Sequence, residues 1–401
     1  MYDLANTVFA MGVAGRYFAP YAVSRGSTDA HIGAVAIVSG ALVAAAAPWF
    51  GSLGDRTGKR RRLLAATTLV TVAATALLGA VPLGAALVLY GIASAGFHLG
   101  SIVYDALLPA VSTEADRGRV SGIGVAVGYL GSALALGIGA FVLPRFGHRV
   151  LFAALAGAFL AFALPAFVAI REPGPLPAAS RPRGVVSTLA DVWRHAAREP
   201  RIIRFLVGRF MYVDAANTFF LFSAVYVRHQ VGLDDKATDV VAFVGVLSAL
   251  AGAALAGSAV DRAGPARVLR AAVSGLLAAV LLGVAAGTGG PRAAAYLAAI
   301  AGGAAVGAAW TSDRVLLTRL APQERLGEMF GLSATVGRFS VLAGPALWAL
   351  ASGVSWLGRP GALGALGVLL VVSLLALRRV DDAQVDQPAS APDSPAPTMS
   401  S

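Results

Sequence analysis

The sequence predicts an all-α membrane protein in which twelve transmembrane helices form two related bundles of six. Hydrophobic residues make up 57% of the 401 residues and charged residues only 13%, whereas about 25% of residues are charged in ordinary soluble domains. Apolar runs long enough to cross a bilayer follow one another along the chain, and motifs of the first half recur in the second. This composition excludes an ordinary water-soluble globule.

Twelve apolar runs have the length of about 20 residues that a membrane helix needs, and they are named spans 1 to 12 here. They cover residues 2–23, 32–50, 63–81, 83–108, 122–143, 150–170, 205–227, 240–260, 271–287, 293–317, 329–352 and 361–377. We expect span 1 to be a retained helix, because Asp3 stands where a cleavable signal has positive charge. The glycines concentrated in span 5 predict close helix packing there.

The spans divide into a first bundle over residues 1–170 and a second bundle over 205–378. The linker between them, 171–204, opens with EPGPLP at 172–177. Apolar residues at helical spacing between Val185 and Ala196 predict a short amphipathic helix on the inner leaflet, with a solvated turn as the alternative. The tail, 379–401, is rich in Pro, Ser, Ala and Asp and is predicted to be disordered.

The basic residues predict the orientation of the chain in the membrane. Of the 32 Lys and Arg residues, 21 lie in the even-numbered loops, the linker and the tail, 7 in the opposite loops and 4 inside spans. Positive loops stay in the cytoplasm, so both termini are expected there. This distribution explains the net charge of +11 without a nucleic-acid role. The absence of Cys excludes disulfides and thiol chemistry.

An internal repeat relates the two bundles. DLANTVF at 3–9 recurs as DAANTFF at 214–220, and GSLGDRTG at 51–58 recurs as GSAVDRAG at 257–264. Asp105 matches Asp313, and Gly128 matches Gly337, at nearly the same offset. Six spans separate the copies, so the halves share one orientation and are related by an axis along the membrane normal.

Four aspartates mark every third helix: spans 1, 4, 7 and 10 carry Asp3, Asp105, Asp214 and Asp313. Charged groups in a bilayer normally face the bundle interior or a water-filled cavity. We therefore expect these four spans to line a central cavity, while the spans without ionisable residues, 3, 6, 9 and 12, face lipid. The alternative is that the aspartates lie near cytoplasmic helix ends and are solvated.

The loop after span 2, GSLGDRTGKRR at 51–61, resembles the signature loop of the major facilitator superfamily, and its echo at 257–264 resembles the same loop of the second half. YDLANT at 2–7, LP at 108–109, RGRVSG at 117–122 and GYLG at 128–131 are similar to the branch related to autophagy-linked vacuolar amino-acid effluxers. The resemblance implies the major facilitator fold of two pseudo-symmetric six-helix bundles and transport by alternating access.

The signature loops also predict gating contacts. Asp55 follows the negative end of its own helix dipole, so it needs another partner. That partner is Arg56, or the free amides at the start of span 11, which the resemblance places near Gly327. By symmetry Asp261 would dock on span 5 near Arg119. A tight turn with anchoring positive charge explains the glycine and basic residues equally well. The gating candidates are Gly51, Asp55, Arg56, Gly58, Arg119, Gly257, Asp261 and Arg262.

Arg338 is the sharpest candidate for binding a substrate. It lies about 14 Å into span 11, near the bilayer midplane, where a guanidinium would bind a carboxylate or pair with an aspartate across the cavity. Packing, rather than binding, is the alternative for the aromatic candidates, and Arg16 could instead reach the outer interface. The candidates for substrate binding or ion coupling are Asp3, Asn6, Arg16, Tyr104, Asp105, Tyr129, Asp214, Asn217, Trp310, Asp313 and Arg338.

These features predict a secondary transporter for a small solute, with amino acids or other small carboxylates exported as the specific hypothesis. No ATP-binding, His-Glu-x-x-His or Gly-x-Ser-x-Gly motif occurs, so we expect an ion gradient, of protons or sodium, and no enzyme, cofactor or metal. A sensor or scaffold without flux is the alternative. The excess of Arg over Lys, 30 to 2, suggests a bacterial inner membrane, and we expect a monomer.

Overall fold

The computed structural model describes residues 1–170, 184–354 and 356–382, without the side chains at 340–342. All twelve predicted spans are helical in it. The helices are Tyr2–Thr7, Val8–Tyr17 and Phe18–Ser24 for span 1, Asp29–Thr57, Arg60–Leu77, Leu83–Ala106, Arg117–Ala169 for spans 5 and 6 together, Pro200–His229, Asp235–Ala263, Pro265–Gly287, Ala293–Leu320, Leu326–Ser352 and Gly358–Leu377. Short 3₁₀ turns at Leu108–Ala110 and Gln323–Arg325 precede spans 5 and 11.

Two helices depart from the predicted regular form. The middle of span 1, Val8–Tyr17, is π-helical, a rare geometry that often occurs at functional sites. Spans 5 and 6 run on without a separate loop, and the chain turns at Gly147, where φ is 73°. A positive φ costs glycine little, so this one residue replaces the loop predicted over 144–149.

The helix ends follow local sequence. Thr28 and Asp234 cap the starts of spans 2 and 8, because their side chains accept hydrogen bonds from the backbone amides of His31 and Ala237. Among the described residues, nine helices are long and apolar enough to cross a membrane, and the one over Arg117–Ala169 contains two spans. The all-helical membrane fold is therefore confirmed.

Each half has its own apolar core. In the first half the buried aromatic rings of Phe9, Phe152 and Phe159 belong to one cluster, and in the second Phe205 and Tyr212 belong to another. Between the halves, span 2 packs on span 11 and span 5 on span 8. These contacts concentrate toward the helix ends that carry the loops rich in Lys and Arg, called the basic end below.

The predicted linker helix forms over Val185–Arg198, and residues 171–183 lie outside the described residues. Val192 and Ala196 are buried in the core of the second half, whereas Val186 and Trp193 are exposed. The linker helix packs against spans 2, 7 and 11 at the basic end. Some apolar side chains of the linker helix are therefore buried in the protein, and others are exposed on its surface. The tail predicted to be disordered lies largely outside the described residues, from 383 onward.

Candidate functional site

The first contact between the halves joins the end of span 2 to the start of span 11. The buried Asp55 carboxylate accepts hydrogen bonds from the backbone amides of Gly327 at 2.9 Å and Glu328 at 3.0 Å. Arg60, also buried, forms an ion pair with the same carboxylate at 2.6 Å. Of the two partners anticipated for Asp55, the amides of span 11 are observed. An arginine on Asp55 is Arg60, and the Nε of Arg56 donates to the carbonyl of Ser52.

The second contact repeats this geometry in the other direction. Asp261, at the end of span 8, accepts hydrogen bonds from the amides of Gly118 at 2.6 Å and Arg119 at 3.0 Å at the start of span 5. Arg119 takes part through its backbone, because its side chain is exposed. Arg262 donates to the carbonyl and hydroxyl of Ser258 in its own helix. The carboxylate therefore makes this contact without help from the side chain of either arginine.

Helix capping explains why the contacts form where they do. The first amides of a helix lack intrahelical partners and carry the positive end of the dipole. The N-cap residues of spans 5 and 11, Asp116 and Arg325, make no side-chain cap hydrogen bond. Asp55 and Asp261 bind the second and third amides of these two helices, so each half caps a helix of the other half. We call the Asp55 and Asp261 contacts the two amide clamps.

Glycines allow the backbones at the clamps to touch. A Cβ at Gly51 would overlap the carbonyl of Gly327, and one at Gly257 would lie 2.9 Å from the carbonyl oxygen of Gly118. Both distances are too short for any other residue without a shift of the helices. Gly58 has a different role, because it ends span 2 in the left-handed conformation with φ of 63°. Gly58 thus fits the tight-turn alternative.

A third contact between the halves is ionic. Arg314 of span 10 lies 3.1 Å from Asp3 of span 1 and 3.0 Å from Asp105 of span 4. The Tyr104 hydroxyl donates to Asp3 at 2.5 Å, and the Arg314 guanidinium lies over the Tyr104 ring at 5.4 Å. Asp3 and Asp105 are near helix ends, as the alternative held, and they are partly buried in this network, with 15% and 29% of their side chains exposed.

The other two intramembrane aspartates stay within the second half. Asp313 is buried and forms an ion pair with Arg209 of span 7, and it accepts a hydrogen bond from the Tyr212 hydroxyl at 2.6 Å. Asp214 accepts a hydrogen bond from the Gly344 amide at 2.7 Å. All four aspartates therefore point into the protein.

A cavity of about 390 Å³ lies mainly in the second half, with Tyr129 of the first half in its wall, and reaches helix ends opposite the basic end. Its wall contains no charged side chain and is rich in aromatic rings. Among the predicted candidates, Tyr129, Asn217 and Trp310 line it. The rings in its wall are those of Tyr129, Phe219, Phe220, Phe222, Tyr226, Trp310 and Trp348.

The remaining candidates are not among the residues that line this cavity. Arg338 is half-buried and forms no ion pair among the described residues. The expected pairing with an aspartate is not seen for Arg338; Arg314 makes that contact instead. Arg16 is exposed, with its guanidinium 5.7 Å from the Tyr17 ring. Asn6 has a buried Oδ1 atom without a hydrogen-bond partner.

Three residues of these networks were missed at the level of sequence. Arg314 and Arg209 are visible as charges inside spans, which is a usable signal, because such charges are costly in a bilayer. Arg60 lies in a run of basic residues that already had an explanation as an orientation signal. Sequence alone gave no reason to prefer it over its neighbours.

Two bundles of six helices, joined at one end by paired clamps and containing a cavity between membrane-spanning helices, define a class of membrane transporters. The chain belongs to the Major Facilitator Superfamily, whose family model matches residues 4–345. It is therefore a multi-pass membrane protein of a family of secondary transporters.

Among individual proteins, the chain is similar to the uncharacterized MFS-type transporter YxiO of Bacillus subtilis (strain 168). The two are 22% identical over 408 residues, which cover 95% of this chain and 94% of the relative. No substrate is named for that relative.

Solved structures share the fold. The proton:xylose symporter XylE bound to 6-bromo-6-deoxy-D-glucose has a TM-score of 0.72 at 14% identity and covers 96% of both chains. FucP in the outward conformation has a TM-score of 0.72 at 13% identity, covering 95% of this chain and 96% of the other. The human organic anion transporter MFSD10 has a TM-score of 0.70 at 16% identity, covering 94% and 96%.

Proposed function

We propose that the chain moves a small solute across a bacterial inner membrane by alternating access. The support is that both amide clamps and the Arg314 network lie at the basic end, while the cavity reaches the opposite end. Basic loops stay in the cytoplasm, so the structure would correspond to the outward-facing state, with both termini inside. Opening the clamps would give the other state.

The cargo in this proposal carries a carboxylate, and Arg338 binds it. The observation that carries this step is that Arg338 is half-buried and forms no ion pair among the described residues, whereas Arg209 and Arg314 each hold an aspartate. A guanidinium in a membrane interior is stabilised by an anion. The resemblance of YDLANT at 2–7 to vacuolar amino-acid effluxers supports an amino acid, moved outward.

The cavity supports an apolar body for the same cargo. Its aromatic wall would bury a hydrocarbon or aromatic side chain, and Asn217, Ser223 and Thr238 offer a few polar contacts. Binding sites of this kind are mostly apolar with a small number of placed polar groups. Amino acids with large apolar side chains therefore combine the carboxylate and the apolar body of the proposed cargo. A gradient of protons or sodium would drive their movement.

Ligand binding tests the cargo. Purified wild-type protein is heated with single amino acids and simple carboxylates, alongside Arg338→Ala, Arg338→Lys and the control Arg149→Ala, which removes an exposed arginine. We expect an apolar amino acid to raise the unfolding temperature of the wild type and of the control. Arg338→Ala should lose the shift and Arg338→Lys should retain part of it. Equal stabilisation of wild type and Arg338→Ala would refute the assignment of Arg338.

Flux measurement separates a transporter from a sensor or scaffold. Proteoliposomes are loaded with the radiolabelled amino acid that stabilises the protein, and its release is followed with and without an ion gradient. A transporter releases the label faster than liposomes that contain the label but no protein. Binding without release would favour the sensor or scaffold instead.

A further inference from the structure

The two copies of the Asp-x-x-Asn-Thr motif lie in matching surroundings. In span 1, a Cβ at Gly128 of span 5 would lie 3.2 Å from the Thr7 hydroxyl and 3.5 Å from the Asp3 Cβ. In span 7, a Cβ at Gly344 of span 11 would overlap the Thr218 hydroxyl and lie 2.7 Å from Asp214 Oδ1. Each aspartate and threonine thus packs closely on a glycine of a neighbouring helix in its own half.

The two copies differ in how their polar atoms are satisfied. Asp3 has the Arg314 guanidinium and the Tyr104 hydroxyl, and the Thr7 hydroxyl donates to the Asp3 carbonyl. Asp214 is 1% exposed, and its Oδ1 accepts a hydrogen bond from the Gly344 amide, while its Oδ2 has no hydrogen-bond partner among the described side chains. The hydroxyl of Thr218, which is 0% exposed, has no partner in that part of the chain either. The repeat therefore supplies a cation to one copy and none to the other.

The charged and titratable groups around span 7 act elsewhere. Tyr226 donates to the Gly283 carbonyl, and spans 8, 9 and 12 carry charges only near their ends, while the linker helix lies at the basic end. The remaining groups are Arg209 and Tyr212, which bind Asp313, Arg314, which binds Asp3 and Asp105, and Arg338 of span 11, which forms no ion pair among the described residues. Within the described residues, no charged side chain forms an ion pair with Asp214.

An ionised carboxylate without a cation is costly inside a membrane, whereas a neutral carboxylic acid needs only an acceptor for its proton. Two acceptors lie on these two helices. One is the Thr218 hydroxyl oxygen, and the other is the carbonyl of residue 341, which has no helical partner because Pro345 lacks an N–H. The tight packing on Gly344 leaves little space for the several oxygen ligands that a metal cation requires.

From this asymmetry we infer that Asp214 is the site that takes up the coupling proton, whereas Asp3, Asp105 and Asp313 are each held in an ion pair with arginine. On uptake, Asp214 Oδ2 gains the proton and donates it in a hydrogen bond to the Thr218 hydroxyl; on release, the carboxylate returns. The inference rests on the proposed function, because a proton gradient is useful here only to a transporter. It names the ion and the residue that the proposal leaves open.

Infrared spectroscopy tests the site without any cargo. The purified protein in lipid is titrated with acid and base, and the carbonyl stretch of neutral carboxylic acids is followed in the wild type, Asp214→Asn and the control Asp313→Asn. We expect a titrating acid band in the wild type, its loss in Asp214→Asn and its retention in Asp313→Asn. Thr218→Val should shift the band to higher frequency, because the acid loses its acceptor. An unchanged band in Asp214→Asn overturns the inference.

Two further measurements distinguish a failure of this inference from a failure of the proposed transport function. Replacing choline chloride by sodium chloride at constant pH should leave the band unchanged, and its loss on adding sodium would overturn the inference by showing a sodium site. In proteoliposomes, a pH-sensitive dye should report proton movement with cargo in the wild type and none in Asp214→Asn. A band assigned to Asp214 together with absent cargo flux would reject the transport function and leave the protonation site standing.

Discussion

Replacing Asp261 by asparagine should open the basic end of the molecule. The carboxylate accepts two amide hydrogen bonds, at 2.6 Å and 3.0 Å, and an asparagine keeps one acceptor oxygen while turning an N–H₂ group toward the second amide. A hydrogen bond to a charged group is worth about 1.5–3 kcal/mol, and partial exposure reduces this, so about 2 kcal/mol should be lost. Since 1.4 kcal/mol is a factor of ten, the ratio of open to closed molecules should rise about 30-fold.

The absence of native cysteine makes the assay direct. Lys59→Cys and Gln323→Cys place spin labels on exposed positions of opposite halves at the basic end. Distances between the labels, measured by pulsed electron paramagnetic resonance, should be short in the background protein and gain a long component in Asp261→Asn. Arg262→Ala is the matched control, because that side chain bonds only to its own helix.

The result can contradict the reasoning in two ways. Identical distance distributions in Asp261→Asn and the background protein would show that the clamp does not hold the halves together. A long component of equal size in Arg262→Ala would show that any change at this helix end has the same effect. Either result would remove the energetic role assigned to the carboxylate.

Three other perturbations follow from the same structure. Gly51→Ala should enrich the long component of the spin-label distances, because its Cβ would overlap the Gly327 carbonyl. Gly40→Ala in the same span is the control, since its Cβ would meet open space; equal distance distributions in the two variants would contradict this. Arg314→Ala leaves two partly buried aspartates without their arginine. Breaking a fully buried pair costs about 3–5 kcal/mol, and partial exposure reduces this, so the free energy of unfolding should fall by about 2–3 kcal/mol in thermal unfolding; a loss below about 1 kcal/mol would argue against the network. Burial lowers the pKa of His195 in the linker helix from its usual value, so protonation favours the undocked helix and docking should weaken as the pH falls below about 6.5. Hydrogen exchange over 185–198 should show this weakening, and His195→Gln should remove it; a pH dependence that persists in the variant would refute the assignment.

The sequence predicted the helices and the repeat well, because both depend on signals written along the chain. Apolar length gave all twelve spans. The helix dipole argument indicated that Asp55 needs a partner outside its own helix, and the resemblance to the major facilitator superfamily pointed to the start of span 11 near Gly327, where the hydrogen bonds are found. The gating role of these residues stays a prediction.

The sequence did not predict which way the side chains of neighbouring charged residues point. Asp313 and Arg314 are adjacent in the sequence, yet one faces Arg209 in its own half and the other faces Asp3 in the first half. Successive residues on a helix point about 100° apart, so the sequence fixes the angle between the two side chains but not which neighbour each one meets. That depends on how span 10 is rotated between the halves.

The break in span 1 and the turn at Gly147 were missed for a related reason. The π-helical segment Val8–Tyr17 has no composition that distinguishes it from an ordinary apolar helix. Gly147 was one of many glycines, and only its φ of 73° marks it as the turn between spans 5 and 6.

Both amide clamps take their donors from the main chain, and this limits how substitutions can affect them. Residues 118, 119, 327 and 328 supply an N–H whatever side chain they carry, with proline as the one exception. If the halves separate as proposed, the first turns of spans 5 and 11 would exchange the Asp55 and Asp261 carboxylates for water. These two aspartates would then contribute to how readily the halves separate.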